Sequence, residues 1–212
     1  MSKAADAKSN DSKSKAAAAP AEQNNGKRRR KDLRKSAYDM TAATAEQVEE
    51  RRTLAVLVDN EAGVLARVIG LFSGRGYNIE SLTVAETDHV GHVSRITVVT
   101  SGTPMVLEQI KAQLDRLVPV HKVTDLTVEG PSVERELAMV KVASSGDARV
   151  EALRLKDAFR AHVVDATLDS FVFEVTGSPD KIDAFVELMR PLGVTEVTRT
   201  GVVAIKRGEE GM

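Results

Sequence analysis

The sequence predicts an α+β protein: two tandem ferredoxin-like βαββαβ units behind a disordered N-terminal tail. Three observations carry that expectation. Between residues 52 and 130 the apolar pattern runs strand, helix, strand, strand, helix, strand. The same order recurs over residues 133–207, after the short linker Gly130-Pro131-Ser132. Aromatic residues make up only 3% of the 212 residues, with no Trp, so the cores must be built from Val, Leu, Ile and Ala.

Each element has a local reason. Thr53–Val58 is a short, largely apolar run, as in a buried strand. Asp59-Asn60-Glu61-Ala62-Gly63 combines turn and helix-cap chemistry. Val64, Leu65, Val68, Ile69, Leu71 and Phe72 then recur at helical spacing, and Gly74 and Gly76 end the helix. A strand is expected over Tyr77–Glu86 and a hairpin turn over Thr87–Gly91. The next strand is expected over His92–Thr100. Thr103-Pro104 opens the second helix with proline at its first position. Leu107, Ile110, Leu114 and Leu117 form its apolar stripe, and Pro119 stops it. Val120–Glu129 reads as the fourth strand. In the second unit the expected order is a strand over Arg135–Ala143, a helix over Asp147–Arg160, and strands over Ala161–Ala166 and Ser170–Thr176. A helix capped by Ser178-Pro179-Asp180 follows, then a last strand region, Val194–Ile205, broken at Gly201.

The tail is a different kind of chain. Residues 1–40 carry 11 Lys and Arg against 5 Asp and Glu, whereas residues 41–212 carry 19 against 26. Within residues 1–50 only Leu33 and Val48 represent the large aliphatics, too little apolar surface to offset ordering entropy, so the segment reads as disordered. Its basic run Lys27-Arg28-Arg29-Arg30-Lys31 reads first as a solubilising tail and second as an anionic-surface contact. The start lacks an apolar stretch of secretory type, and no apolar run reaches the length of a membrane span, so a cytoplasmic protein is expected.

Composition removes several function classes. With no Cys there is no disulfide framework, thiolate metal site or cysteine nucleophile. His89 and His92 stand at a spacing that a metal could use, but no third ligand is evident, so no metal site is expected. No phosphate-loop or dinucleotide fingerprint occurs, since Gly74-Arg75-Gly76 lacks the third glycine and follows a helix. Base stacking on the sheet would need aromatics, and Thr53–Val58 and His92–Thr100 contain none, so nucleic-acid binding by the sheet is not expected. No catalytic constellation assembles, and no catalytic residue is expected.

What remains is a ligand-sensing turn. The N–H groups of Gly63, Val64 and Leu65 fall at a helix N-terminus, where free donors favour a carboxylate, and Gly63 permits close backbone approach. The Asn60 amide can accept from an ammonium and donate to a carboxylate, and Asn78 opens the expected second strand. With Val, Leu, Ile and Ala around them, these groups suit a small aliphatic zwitterion. A simple capping turn at Asn60 and a loop Asn at 78 explain the same residues without a ligand.

The stretch from Leu57 to Ala85 resembles the ACT domain of the small regulatory subunits of acetolactate synthase (acetohydroxyacid synthase). The diagnostic pieces are Val-Ile-Gly-Leu-Phe-Ser (68–73) and Arg-Gly-Tyr-Asn-Ile-Glu-Ser-Leu-Thr-Val-Ala (75–85). Further matches are Leu-Glu-Gln-Ile (107–110), Gln-Leu (113–114), Arg135-Glu136-Leu137 and Arg199-Thr200-Gly201-Val202-Val203. The resemblance covers about residues 51–207. It implies a subunit that is not itself an enzyme. Such a subunit binds a large catalytic subunit holding thiamine diphosphate, a divalent metal and flavin, raises its activity, and confers feedback inhibition by valine in branched-chain amino-acid biosynthesis. It further implies a homodimer through the ACT domains. The effector site would comprise Asn60, Gly63, Val64 and Leu65 of one chain with Asn78 and Ile79 of the other, and Ala85 close by. Glu86 stands where the family often has proline. The division expected is therefore a tail (1–50), an ACT effector-binding domain (52–130) and a C-terminal regulatory-subunit domain (133–207). The alternative is a free-standing ACT-type amino-acid sensor acting as a transcriptional or other regulator.

Overall fold

The computed structural model describes residues 48–209 and 211–212; the expected disordered tail, with its basic run, lies outside them except at its last three residues, where Glu50 already opens the first strand. The chain forms two antiparallel sheets, each with two helices on one face. Both are ferredoxin-like.

The first sheet comprises β1 (Glu50–Asp59), β2 (Ser81–Asp88), β3 (Val93–Gly102) and β4 (Val120–Asp125) in the order β2-β3-β1-β4. Its helices are α1 (Val64–Arg75) and α2 (Pro104–Leu114). The central strand explains why this sequence folds this way. Leu54, Val56 and Val58 alternate onto the helix face and are buried against Val68, Phe72, Ile96, Leu107 and Ile110. Each such side chain contributes about 1.5–3 kcal/mol by leaving water. Thr103 caps α2 as its spacing predicts, its hydroxyl accepting from the Val106 N–H.

The second sheet comprises β5 (Ser132–Ala143), β6 (His162–Ala166), β7 (Ser170–Gly177) and β8 (Val194–Arg199) in the order β6-β7-β5-β8. α3 (Gly146–Phe159) and α4 (Pro179–Met189) cover one face. Ala138, Val140 and Val142 of β5 bury against Phe171, Phe173, Ile182, Phe185 and Met189, so this core is partly aromatic and not the purely aliphatic one expected. Ser178 caps α4 by accepting from the Lys181 N–H. A short strand, β9 (Val203–Lys206), folds back and pairs with Ser132–Arg135 of β5.

The two sheets repeat one ion-pair design with the charges exchanged. In the first, Arg52 on β1 bonds Asp125 of β4 and Glu108 of α2, at 3.1 and 2.6 Å. In the second, Glu136 on β5 bonds Arg199 of β8, which also reaches Asp183 of α4, at 2.5 and 2.6 Å. Arg52 lies two residues before Leu54, the partner of Asp125, and Glu136 lies two before Ala138, the partner of Arg199. These hydrogen bonds hold both guanidinium groups still further above their already high range.

The structure moves several expected boundaries. The second strand starts at Ser81 rather than Tyr77, because the chain first closes α1 with a C-terminal turn in which the Tyr77 N–H donates to the Phe72 carbonyl. The fourth strand ends at Asp125 rather than Glu129. The Asp125 carboxylate accepts from the Thr127 and Val128 N–H groups and bends the chain away. β5 starts at Ser132, three residues early, since β9 supplies partners for its first turn of residues. Among the described residues no helix is long and apolar enough to cross a membrane.

Candidate functional site

The turn after β1 is tied down from two sides. The Asp59 N–H donates to the Pro119 carbonyl at 2.9 Å, and the Asn60 N–H to the His92 carbonyl at 2.7 Å. The Asp59 carboxylate meets His121 Nε2 at 2.7 Å. The backbone is therefore fixed while the Asn60 side chain stays exposed, with no hydrogen bond among the described residues.

Gly63 sits at the N-cap of α1 with φ 89° and ψ −8°, a left-handed conformation that favours glycine. A Cβ placed there would meet nothing within 4 Å, so the space over this residue is open. The expected cluster of three free amides is reduced to two. The Val64 N–H points to the Glu61 carbonyl at 3.4 Å, and its side chain is core. The Gly63 and Leu65 N–H groups take no backbone carbonyl among the described residues, and the Leu65 side chain is partly exposed.

Asn78 and Ile79 lie in the loop between α1 and β2. The Asn78 carbonyl accepts from Thr100 Oγ1 at 2.6 Å, while its side chain is exposed. Ile79 packs against the first core. Ala85 is exposed on β2, opposite Arg95 of β3. Thr100 pairs with Arg52 at one end of β1 and Val93 with Asp59 at the other. At about 3.3 Å per residue the two ends are roughly 23 Å apart. One chain therefore cannot close Asn60 and Asn78 around the same small ligand. The β2 strand between them is an outer strand of its sheet.

The charged groups nearby are mostly spoken for. The Asp88 carboxyl is held below its usual range, chiefly by the N–H groups of Gly91 and Val90 in the hairpin turn. His89 and His92 both approach the Glu86 carboxylate, at 3.0 and 3.8 Å. Among the described residues no group of three or more His, Cys, Asp or Glu could hold a metal ion.

A cleft of about 870 Å³ lies elsewhere, between the two sheets, and none of the expected site residues lines it. Some of its charges pair with one another, Arg51 with Glu80 and Glu134, and Arg199 with Glu136 and Asp183, while Arg135, Asp180 and Arg207 line it as well. Sequence reasoning missed this cleft: it picked out Arg199–Val203 as a family match and Gly201 as a break in the last strand, but gave neither a place at the cleft's edge.

Comparison with known proteins agrees with the architecture. Residues 54–122 match the family described as "AHAS small subunit-like ACT domain", and residues 135–208 match "Small subunit of acetolactate synthase". A probable acetolactate synthase small subunit of Archaeoglobus fulgidus is 48% identical over 160 residues, 76% of this chain and 99% of that protein. The isozyme 3 small subunit of Salmonella typhimurium is also 48% identical, over 163 residues and the same shares of each chain. The crystal structure of the acetolactate synthase small subunit from Thermotoga maritima superposes with a TM-score of 0.69 at 36% identity. That match covers 76% of this chain and 99% of that one.

Proposed function

The chain belongs to the acetolactate synthase small-subunit family, and on that premise we propose that it is a regulatory subunit that activates a catalytic subunit and makes it sensitive to valine. On this reading residues 52–130 bind the effector and residues 133–207 act on the partner. The thiamine diphosphate, divalent metal and flavin belong to the large subunit. The chain works in the cytoplasm and carries out no chemistry of its own.

One observation carries the effector site: an open, left-handed Gly63 with two free amides beside it, remote along the sheet from the exposed Asn78 amide. A two-fold homodimer that pairs the outer strand β2 antiparallel with its copy sets the Asn78 end of one protomer against the Gly63 end of the other. The amides at Gly63 and Leu65 then receive the valine carboxylate, the Asn60 and Asn78 side chains orient its polar groups, and Ile79 bounds its isopropyl group, with Ala85 behind it on the other face of β2. A ligand shared by two protomers favours one dimer arrangement over another, and the catalytic subunit responds to that bias. Such couplings are typically about 1–3 kcal/mol, enough for several-fold to roughly 100-fold inhibition.

The test is acetolactate formation by the purified catalytic subunit, alone, with this chain, and with added valine. Stimulation by the chain that valine reverses is the expected result. A chain that neither stimulates nor confers valine sensitivity contradicts the proposal.

A further inference from the structure

The face of the first sheet opposite its helices is not open. The segment Thr200–Ala204, from the C-terminal half, lies across it. The Val202 N–H donates to Ser81 Oγ at 2.8 Å, and Thr83 Oγ1 donates to the Val202 carbonyl at 3.0 Å. One strand further in, Arg95 Nη2 donates to the Ala204 carbonyl at 2.7 Å, and burial pushes that guanidinium down from its usual range. Ala204 packs with Ala55 and Leu126 in a small buried cluster.

The approach is close enough that a side chain at 201 would have to push the Ser81 and Thr83 hydroxyls aside. Gly201 has φ +85°, and a Cβ there would stand 2.8 Å from Ser81 Oγ, 3.0 Å from Thr83 Oγ1 and 3.5 Å from the Leu82 carbonyl oxygen. On its other side the same segment is anchored to the second sheet, where the Thr200 N–H donates to the Leu137 carbonyl at 3.0 Å. Val203 is paired with Arg135.

Alternation along β2 sets this contact and the effector site on opposite faces of one strand. Ser81, Thr83 and Ala85 share one face of the strand. The first two are held by the Thr200–Val202 turn, and the third is the expected site residue left exposed beyond it. We propose that the Thr200–Val202 turn is the joint through which β2 and the C-terminal sheet sense each other's position, with Ser81, Thr83 and Gly201 as its positioning residues. This rests on the effector reading above. Ligand held between two β2 strands displaces them relative to their own sheets. A turn bonded to both Oγ atoms, with little room for a Cβ, carries that displacement into β5 and β9.

The test uses the full chain with its catalytic subunit. The double variant Ser81→Ala/Thr83→Val removes two hydrogen bonds without touching Gly63, Asn60 or Asn78. Gly201→Ala pushes the Ser81 and Thr83 hydroxyls aside and serves as a second, independent variant. In the wild type, valine should change the hydrogen-exchange rate of the Val202 amide. In the double variant that amide should exchange about tenfold faster. Valine should still bind within about threefold of wild-type affinity, yet inhibit the holoenzyme several-fold less. A purely structural role would lower melting temperature while leaving binding and inhibition matched. Wild-type inhibition in both variants, or a Val202 amide indifferent to bound valine, overturns the joint alone. A wild-type chain that binds no valine overturns the effector reading and takes the joint with it.

Discussion

Gly63→Asp separates the effector site from the fold with one residue. The backbone at this position is left-handed, which costs an L-residue about 1 kcal/mol, with Asp among the residues that tolerate it best. Nothing lies within 4 Å of the new Cβ. A carboxylate at the start of α1 recovers about 0.3–1 kcal/mol from the helix dipole. The net change in stability is therefore small, and the melting temperature should move by no more than about 2–4 °C. Binding is affected far more. A second carboxylate about 5 Å from the ligand's own costs about 3 kcal/mol at an effective dielectric near 20, which is more than a 100-fold loss of affinity. Calorimetric titration with valine, paired with thermal unfolding, reads both quantities. Wild-type affinity in a folded Gly63→Asp chain would refute the placing of the carboxylate at these amides.

Three further perturbations follow from named contacts. Asn78→Ala should lower valine affinity roughly 5–30-fold, as expected for one lost polar contact to a charged ligand, with an unchanged melting temperature; equal affinity by calorimetry removes Asn78 from the site. Glu136→Ala leaves Arg199 with Asp183 alone and should cost about 2 kcal/mol, discounted because Arg199 is partly exposed; the charge exchange Glu136→Arg/Arg199→Glu should recover most of it, since the first sheet already uses that polarity. Lys111 holds the Glu129 carboxyl below its usual range and is itself held above its own. The pair therefore stabilises the fold between the ordinary carboxylate range and the ordinary lysine range. The contribution is lost as pH falls through the folded Glu129 value, and again as it rises through the folded Lys111 value. Unfolding of Lys111→Ala against wild type should thus differ at pH 6 and converge in strong acid; a difference that persists at pH 2 assigns the effect to packing instead.

The elements were legible because local signals agreed with the global pattern. Leu54, Val56 and Val58 mark β1 by alternation, and Thr103-Pro104 and Ser178-Pro179 mark two helix starts by their caps. Boundaries set by tertiary contacts were not legible. Asp125 ends β4 by bonding amides ahead of it, and Ser132 joins β5 only because β9, some 70 residues on, folds back to pair with it. Of the site, Gly63 could be read as an open helix start, but the Val64 amide could not be seen to turn toward Glu61. The joint at Gly201 was invisible, since nothing local says that a glycine in a strand will lie against Ser81 and Thr83, over a hundred residues earlier.

The account stands on a site shared between protomers, and mixed dimers test that directly. A protomer carrying Gly63→Asp and one carrying Asn78→Ala each bring a single defect, and differently tagged copies allow the mixed species to be isolated. If each site takes Gly63 from one chain and Asn78 from the other, the mixed dimer has one doubly damaged site and one intact site. It should bind one valine per dimer at wild-type affinity, although neither homodimer does. A mixed dimer that binds valine no better than its parents would place both residues' roles within a single chain and contradict the account.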